Sequence, residues 1–338
     1  MRAFIKGIAS YLPENIELNA PESRLTKKTG IYERHIVNNN ECSSDLAVKA
    51  AENLFAHYNF DKNKIDFIIL CTQSPDYFLP TTACLLQHRI GLSNRCGAFD
   101  FNLGCSGYIY GLSIVKGLIE SGQAQNVLLV TAETYSKWIH PEDGTVRPLF
   151  GDAATATLVC REDTDCEGLG AFQFGTDGSR GENLIVPAGG TRNPINCTPI
   201  LDQIDEYGNK RTNHNLYMNG KAISEFALDV VPATVEAILN HMGYDRNAID
   251  YYVFHQANKF MLDFLQQKCG LQGLPYWNKP DKYGNTVSST IPLALQEISR
   301  VEQTSKLKKV MAIGFGVGLS WAGCLLDLSK MYQVENKE

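Results

Sequence analysis

The chain has 338 residues, of which 44% are hydrophobic and 20% charged, a composition that is ordinary for a soluble globular protein. Its formal net charge of −6 argues against nucleic acid as a partner, and it contains no run of about 18 apolar residues that would cross a membrane. The length suggests two core-sized units or one large fused pair.

The first half of the sequence alternates apolar strands with amphipathic helices. Residues 1–13 predict a strand, because Lys6 interrupts a short apolar run that a secretion signal would keep intact. Residues 44–56 predict a helix, and residues 67–72 and 127–132 predict buried strands. Such alternation is typical of α/β layers built around buried sheets.

Ten cysteines are spread along the chain. None belongs to a Cys-x-x-Cys pair, and none has a histidine partner at zinc spacing. Many lie within apolar runs, as Cys71 and Cys324 do. We therefore expect reduced, buried thiols in a cytoplasmic protein, and no metal site.

Cys105 differs from the other cysteines in its position between two predicted elements. We predict a buried strand at 96–103 leading into it and a helix at 108–119 following it. The positive end of a helix favours the nucleophilic thiolate, and the neighbouring Gly104 and Gly107 allow a sharp turn and close approach of a substrate. The alternative interpretation is a small buried hydrophobic residue, as for most intracellular cysteines.

The second half of the sequence resembles the first. Residues 245–255 match residues 61–71 at an offset of 184, and residues 309–315 match residues 126–132 at nearly the same offset. We predict two similar α/β units, at 1–165 and 166–338, joined by a polar segment. That segment, 161–216, is rich in Gly, Asn and Pro and predicts a connection with surface loops that cover the site.

Two polar residues in the second half are candidate partners for Cys105. His255 ends a predicted strand, and Asn285 follows Gly284 in a strong turn signal. Each also has an ordinary structural interpretation. His255 would be a hydrogen-bonded histidine of the core, and Asn285 would belong to a loop that caps the next helix through Ser288 or Ser289. If a pseudo-twofold axis relates the halves, all three side chains share one pocket.

A glycine-rich stretch lies near the end of the chain, at 314–321. It is too short for a dinucleotide-binding fingerprint, and it leads into a strand instead of a helix. We expect it to place backbone amides beside the cysteine.

Taken together, these motifs resemble β-ketoacyl-[acyl carrier protein] synthases III, of the thiolase-like condensing superfamily. The resemblance covers nearly the whole chain and is carried by the segments 29–35, 80–84, 102–107, 149–152, 177–179, 187–190, 255–258, 284–286 and 314–321. It implies a thiolase-like five-layer αβαβα fold of two duplicated halves with mixed sheets, assembled as a homodimer.

The resemblance also implies a reaction. Cys105 would take an acyl group from acyl-CoA or an acyl-carrier-protein thioester, and His255 and Asn285 would stabilise the enolate formed when a malonyl thioester loses CO2. The backbone N–H groups of Cys105 and Val317 would hold the tetrahedral oxyanion. Phe315 would shield the acyl pocket from water. No cofactor is required.

This chain departs from the family pattern near the entrance. The family's tryptophan before the Thr-Gly-Ile segment is missing, Asp143 replaces an arginine, and Phe260 stands where a basic residue is expected. Residues 191–214 resemble an insertion. The remaining candidate cations for the substrate or carrier protein are Arg147, Lys221, Lys259 and Lys268.

Leu79 matches the position at which a dimer partner closes the acyl pocket. Leucine is smaller than the phenylalanine often found there, so we expect a pocket that accepts more than acetyl.

Related scaffolds carry other activities. An acyltransferase would pass the acyl group from Cys105 to an alcohol or amine, without release of CO2. A thiolase would need a second reactive cysteine, and a hydroxymethylglutaryl-CoA synthase would need an acid, for which Glu133 is the one evident candidate. A non-catalytic partner subunit would be expected to lack Cys105, which is present here.

Overall fold

A computed structural model describes residues 1–205 and 208–332. In the first half, the elements are β1 (Arg2–Tyr11), β2 (Ile16–Leu18), α1 (Arg24–Thr29), β3 (Glu33–His35), α2 (Ser43–Tyr58), β4 (Phe67–Cys71), α3 (Thr82–Ile90), β5 (Gly97–Phe101), α4 (Gly107–Glu120), β6 (Asn126–Glu133) and β7 (Ala153–Glu162).

In the second half, the elements are β8 (Leu169–Thr176), β9 (Leu184–Ile185), β10 (Asp202–Ile204), β11 (Lys210–Thr212), β12 (Tyr217–Met218), α5 (Gly220–Met242), β13 (Tyr251–Phe254), α6 (Lys259–Lys268), β14 (Tyr276–Trp277), α7 (Thr290–Val301), β15 (Val310–Gly316) and β16 (Ser320–Leu326).

Two five-stranded mixed sheets have the same topology. The first has the order β1-β7-β6-β4-β5 and the second the order β8-β16-β15-β13-β14. In each sheet the last three strands are parallel and the first two pair antiparallel. The matching pattern confirms the prediction of two duplicated α/β halves.

Five layers follow from how the helices cover these sheets. Helices α2 and α3 pack on the outer face of the first sheet, and α5 and α6 on the outer face of the second. Helices α4 and α7 lie between the sheets, where they form the central core with β1, β6, β13 and β15. The five-layer αβαβα architecture is therefore confirmed.

The chain passes from one sheet to the other between Glu162 and Leu169. The boundary that we propose at residues 165 and 166 lies in this connection. The segment 191–214, which we expect to be an insertion, contains the antiparallel strand pair β10 and β11. Within the described residues, no helix combines the length and apolar character needed to cross a bilayer.

Two expectations about burial were wrong in part. Strand β5, which leads to Cys105, is half-buried because it lies at the edge of its sheet. Of the ten cysteines, all free, five are buried, whereas Cys84, Cys166 and Cys197 are exposed. An apolar run does not distinguish a central strand from an edge strand, and of the exposed cysteines Cys84 lies on helix α3 whereas Cys166 and Cys197 lie in polar segments.

Candidate active site

Cys105 lies in the turn between β5 and α4. The Gly107 N–H donates to the Gly104 carbonyl at 2.8 Å, which closes the turn. The cysteine is 5% exposed and lines a cavity of about 590 Å³. Burial raises the pKa of its thiol, and the nearby Glu133 carboxyl raises it further. The thiolate that we expected from the helix N-terminus is therefore opposed by burial, which favours the neutral thiol.

Two glycines of β15 allow this close packing around the cysteine. A Cβ atom on Gly314 would lie 2.4 Å from the Cys105 carbonyl oxygen, and one on Gly316 would lie 3.0 Å from its Sγ. Only a strand without side chains at these positions fits against Cys105. The glycine-rich stretch thus brings the second half of the chain onto the cysteine of the first half.

His255 follows β13, and three contacts fix its ring. Its backbone N–H donates to the Ile313 carbonyl at 2.8 Å, and its Nδ1 lies 2.7 Å from Thr290 Oγ1. The Phe315 ring packs edge to face against the imidazole, with 5.3 Å between centroids. Burial lowers the pKa of His255 to about 3, so the imidazole is neutral at physiological pH.

Asn285 lies between β14 and α7 and is tied to the first half by its backbone. Its N–H donates to the Leu149 carbonyl at 2.8 Å, and its carbonyl accepts from Gly151 N–H at 3.0 Å. Its side-chain Oδ1 accepts from Val287 N–H at 2.9 Å. The amide is therefore oriented by its oxygen, which leaves Nδ2 as a donor.

Val287 makes this hydrogen bond from a strained backbone conformation. It is a buried, β-branched residue with φ of +55°. Such strain persists where surrounding structure holds it, and it is frequent at functional sites.

The structure brings Cys105, His255 and Asn285 to one cavity, together with Phe315 and Val317. The remaining wall near the cysteine is largely apolar and comprises Tyr135, Val146, Leu149, Phe150, Leu184, Met218 and Ile223. Polar donors thus face a mainly hydrocarbon surface, as expected of a site that binds an acyl chain and stabilises developing negative charge.

Of the other residues that the sequence singled out, Phe260 lines the cavity, whereas Leu79 and the four candidate cations lie outside its lining. Leu79 is 85% exposed in a single chain. The Arg147 guanidinium forms an ion pair with Glu17. Lys221 and Lys259 are exposed and form ion pairs along their own helices, and Lys268 lies in the last turn of α6.

Sequence reasoning missed two cations that do line the cavity, Lys28 and Arg211. Arg211 lies in the inserted segment, 3.5 Å from the Asp143 carboxylate and 3.4 Å from Asp205, and its guanidinium stacks over the Tyr217 ring. The acidic residue at position 143, where an arginine was expected, was a signal that a cation from elsewhere would approach it.

Glu133 lies beneath the cavity as a fully buried carboxyl. It accepts hydrogen bonds from Ser74 Oγ at 2.8 Å, Ser288 Oγ at 2.8 Å and Gln73 N–H at 3.1 Å. Burial raises its pKa to about 8. Its contacts join the loop after β4 to the turn before α7. Within the described residues, no group of three or more His, Cys, Asp or Glu side chains is arranged to hold a metal ion.

Comparison with known proteins identifies the family. The model of 3-oxoacyl-[acyl-carrier-protein (ACP)] synthase III matches residues 99–178, and the model of its C-terminal part matches residues 239–328. The chain is 34% identical to a β-ketoacyl-[acyl-carrier-protein] synthase III of Caldanaerobacter subterraneus, over 97% of this chain and 98% of the relative.

Solved structures agree with these matches. A crystal structure of a 3-oxoacyl-(acyl-carrier-protein) synthase III superposes with a TM-score of 0.93 and 47% identity, covering 97% of this chain and all of that one. The priming β-ketosynthase of the R1128 polyketide pathway superposes with a TM-score of 0.80 and 27% identity, covering 99% and 97%. The chain belongs to the 3-oxoacyl-[acyl-carrier-protein] synthase III family of condensing enzymes.

Proposed function

We propose that the protein joins an acyl thioester to malonyl-[acyl carrier protein] by decarboxylative Claisen condensation, giving a 3-oxoacyl product for fatty-acid or related secondary-metabolite synthesis. The observation that carries the proposal is the convergence of Cys105, His255 and Asn285 on one cavity with an apolar wall. This arrangement supplies the two kinds of group that the reaction needs. One is a nucleophile that can hold an acyl group, and the other is a set of hydrogen-bond donors for a developing enolate oxygen.

The first half-reaction is acyl transfer to sulfur. Cys105 Sγ attacks the thioester carbonyl, and the carrier thiol leaves with the proton that the cysteine loses. The backbone N–H groups of Cys105 and Val317 hold the oxyanion of the tetrahedral intermediate. Burial raises the pKa of the thiol, so the neutral thiol is the form that meets the substrate.

The second half-reaction forms the carbon–carbon bond. The malonyl thioester loses CO2, and the electron pair of the broken bond moves onto the thioester oxygen. Asn285 Nδ2 and the His255 imidazole donate hydrogen bonds to that oxygen. A neutral imidazole suits this role, because an imidazolium would protonate the carbanion. The enolate carbon then attacks the acyl-Cys105 carbonyl, and collapse of this intermediate releases the thiolate.

For substrate delivery, we propose that acyl-CoA or an acyl carrier protein supplies the acyl group and that the carrier protein delivers the malonyl group. Lys28 lines the cavity, and Lys221 and Lys259 are exposed on helices near it, whereas the charge of Arg211 is balanced by Asp143 and Asp205. Cations at an entrance attract an acidic carrier and its phosphopantetheine arm. Arg147 and Lys268 contribute to the surrounding surface charge. The free thiols support a cytoplasmic location.

We also propose that the protein is a homodimer formed through β5. This strand is at the edge of its sheet, and the loop between β4 and α3 exposes Tyr77, Phe78 and Leu79, the last two by 84% and 85%. Exposed large apolar side chains beside an open strand edge favour a second copy as the partner. Leu79 would then enter the partner's acyl pocket.

Intact-protein mass measurement tests the reaction. After incubation with acyl-CoA or acyl-carrier thioesters, we expect an acyl adduct that Cys105→Ala abolishes and Cys166→Ala, at an exposed cysteine, does not. Malonyl thioester should then release CO2 and discharge the adduct. His255→Ala and Asn285→Ala should keep the adduct but slow CO2 release about 100- to 1,000-fold each.

Two outcomes would contradict the proposal. Absence of any adduct on Cys105 would exclude covalent catalysis by this residue. An adduct that is discharged by an alcohol or amine, with no CO2 released from malonyl thioester, would establish the acyltransferase alternative.

A further inference from the structure

Thr290, the first residue of α7, is a buried residue in direct contact with the His255 ring. It is 2% exposed, and its Oγ1 lies 2.7 Å from His255 Nδ1 and 3.1 Å from the Val287 carbonyl oxygen. A threonine hydroxyl has one proton, so it can donate to one of these two acceptors at a time.

The Val287 carbonyl already has a donor. It accepts the backbone N–H of Thr290, which closes the short 3-10 turn at 287–289. The Thr290 hydroxyl is therefore not needed to satisfy this carbonyl, and the shorter of its two contacts is with the imidazole. The 2.7 Å separation fits donation in either direction, and donation by the hydroxyl is the direction that leaves the ring proton on Nε2, facing the cavity.

The direction of this hydrogen bond determines what the imidazole presents to the cavity. A neutral imidazole carries its proton on one nitrogen and a lone pair on the other. If Nδ1 accepts from Thr290, the proton is on Nε2, which is then a donor. If Nδ1 donates instead, Nε2 has a lone pair and repels an enolate oxygen.

We propose that Thr290 is a positioning residue whose hydroxyl donates to His255 Nδ1 and thereby holds the ring proton on Nε2. The catalytic consequence rests on the proposed function, since an Nε2–H donor is what stabilisation of a thioester enolate requires. The same turn orients Asn285, because Val287 N–H donates to its Oδ1 at 2.9 Å. Val287 and Thr290 thus set the hydrogen-bond direction of both side chains that face the substrate oxygen.

The test compares Thr290→Val, which keeps the shape and removes the hydroxyl, with Thr290→Ser, which keeps the hydroxyl. Nitrogen-15 NMR of histidine-labelled protein reports the tautomer, with the His255 signal assigned by its loss in His255→Ala. We expect Nε2–H in the wild type and in Thr290→Ser, and a shift toward Nδ1–H in Thr290→Val.

Partial reactions are measured on the same variants. Thr290→Val should slow malonyl CO2 release about 10- to 100-fold and leave the rate of Cys105 acylation unchanged, and Thr290→Ser should restore CO2 release. Thr286→Val is the matched control, because the Thr286 hydroxyl lies buried in the same turn without a hydrogen-bond partner among the described residues. It should change neither the tautomer nor the rates.

An Nδ1–H tautomer in the wild type would overturn the proposal, as would a Thr290→Val protein with unchanged tautomer. Failure of Thr290→Ser to restore the wild-type tautomer would also overturn it, because the hydroxyl would then not be the cause. The NMR readout needs no substrate. If the tautomer responds as expected while the wild type releases no CO2 from malonyl thioester, the proposed function fails and the role of Thr290 stands.

Discussion

Cys105, His255 and Glu133 are ionisable side chains in the protein interior, and burial dominates the protonation of each. It raises the pKa of the Cys105 thiol, lowers that of His255 to about 3 and raises that of Glu133 to about 8. In each case the neutral form is favoured, since removing a charge from water is expensive. The site therefore holds neutral groups in a medium where hydrogen bonds to a developing charge are strong.

Glu133 leads to a prediction about pH at the same scale. Its pKa rises from 4.5 in the unfolded chain to about 8 in the folded protein. The folded state thus binds the proton more tightly, so this stabilising contribution is complete below pH 4.5 and is lost as the pH rises toward 8. Glu133→Gln stays neutral throughout. We expect the wild type to lose free energy of unfolding relative to Glu133→Gln between pH 4.5 and 8.

Chemical denaturation at a series of pH values measures this difference. Asp163→Asn, at an exposed carboxylate, is the control and should show no comparable change over that range. A difference between wild type and Glu133→Gln that stays constant with pH would show that Glu133 titrates normally.

At the scale of elements, the contact between β15 and the Cys105 turn depends on the absence of side chains. The Gly314→Ala methyl group would lie 2.4 Å from the Cys105 carbonyl oxygen, which is backbone and cannot move aside freely. We expect overpacking to destabilise the protein by about 1–3 kcal/mol and to slow Cys105 acylation.

Gly117→Ala is the matched control for this change. Gly117 lies within α4, and a Cβ atom there would have no neighbour within 4 Å. Alanine should stabilise the helix by about 0.5–1 kcal/mol. Thermal and chemical unfolding of the two variants measure the contrast, and a Gly314→Ala protein as stable as Gly117→Ala would contradict the described packing.

At the scale of the whole molecule, the acyl pocket of one chain is expected to be completed by another. Leu79 is too exposed to shape the cavity of its own chain. The size of the Leu79 side chain should therefore affect the accepted acyl length only when two chains form a dimer. We expect the wild type to accept acyl groups longer than acetyl on Cys105, and Leu79→Phe to shorten the longest group accepted, because a phenyl ring fills more of the partner's pocket.

Mass measurement with acyl thioesters of increasing length gives the profile, and light scattering gives the oligomeric state. Leu18→Phe changes another exposed leucine, on β2, and should leave the profile unchanged. Uptake of acetyl alone by the wild type, or a Leu79→Phe profile equal to that of the wild type, would refute this role.

The internal repeat in the sequence was sufficient to predict two α/β halves, because the spacing of apolar strands and helices is a local property of the chain. Cys105, His255 and Asn285 were also identifiable, since each occurs at a strand or helix end with distinctive neighbours. Such patterns do not report which residues distant in sequence come into contact. They gave no sign that β5 lies at a sheet edge or that Arg147 pairs with Glu17.

The tertiary structure alone decided the ionisation and the hydrogen-bond directions of the site. A helix N-terminus lowers a thiol pKa in principle, but the surrounding core determines whether burial outweighs it. Thr290 contacts His255 across 35 positions of sequence, and Arg211 reaches Asp143 across 68. Sequence determines which elements form, through local periodicity, whereas contacts between distant residues depend on how the two halves pack together.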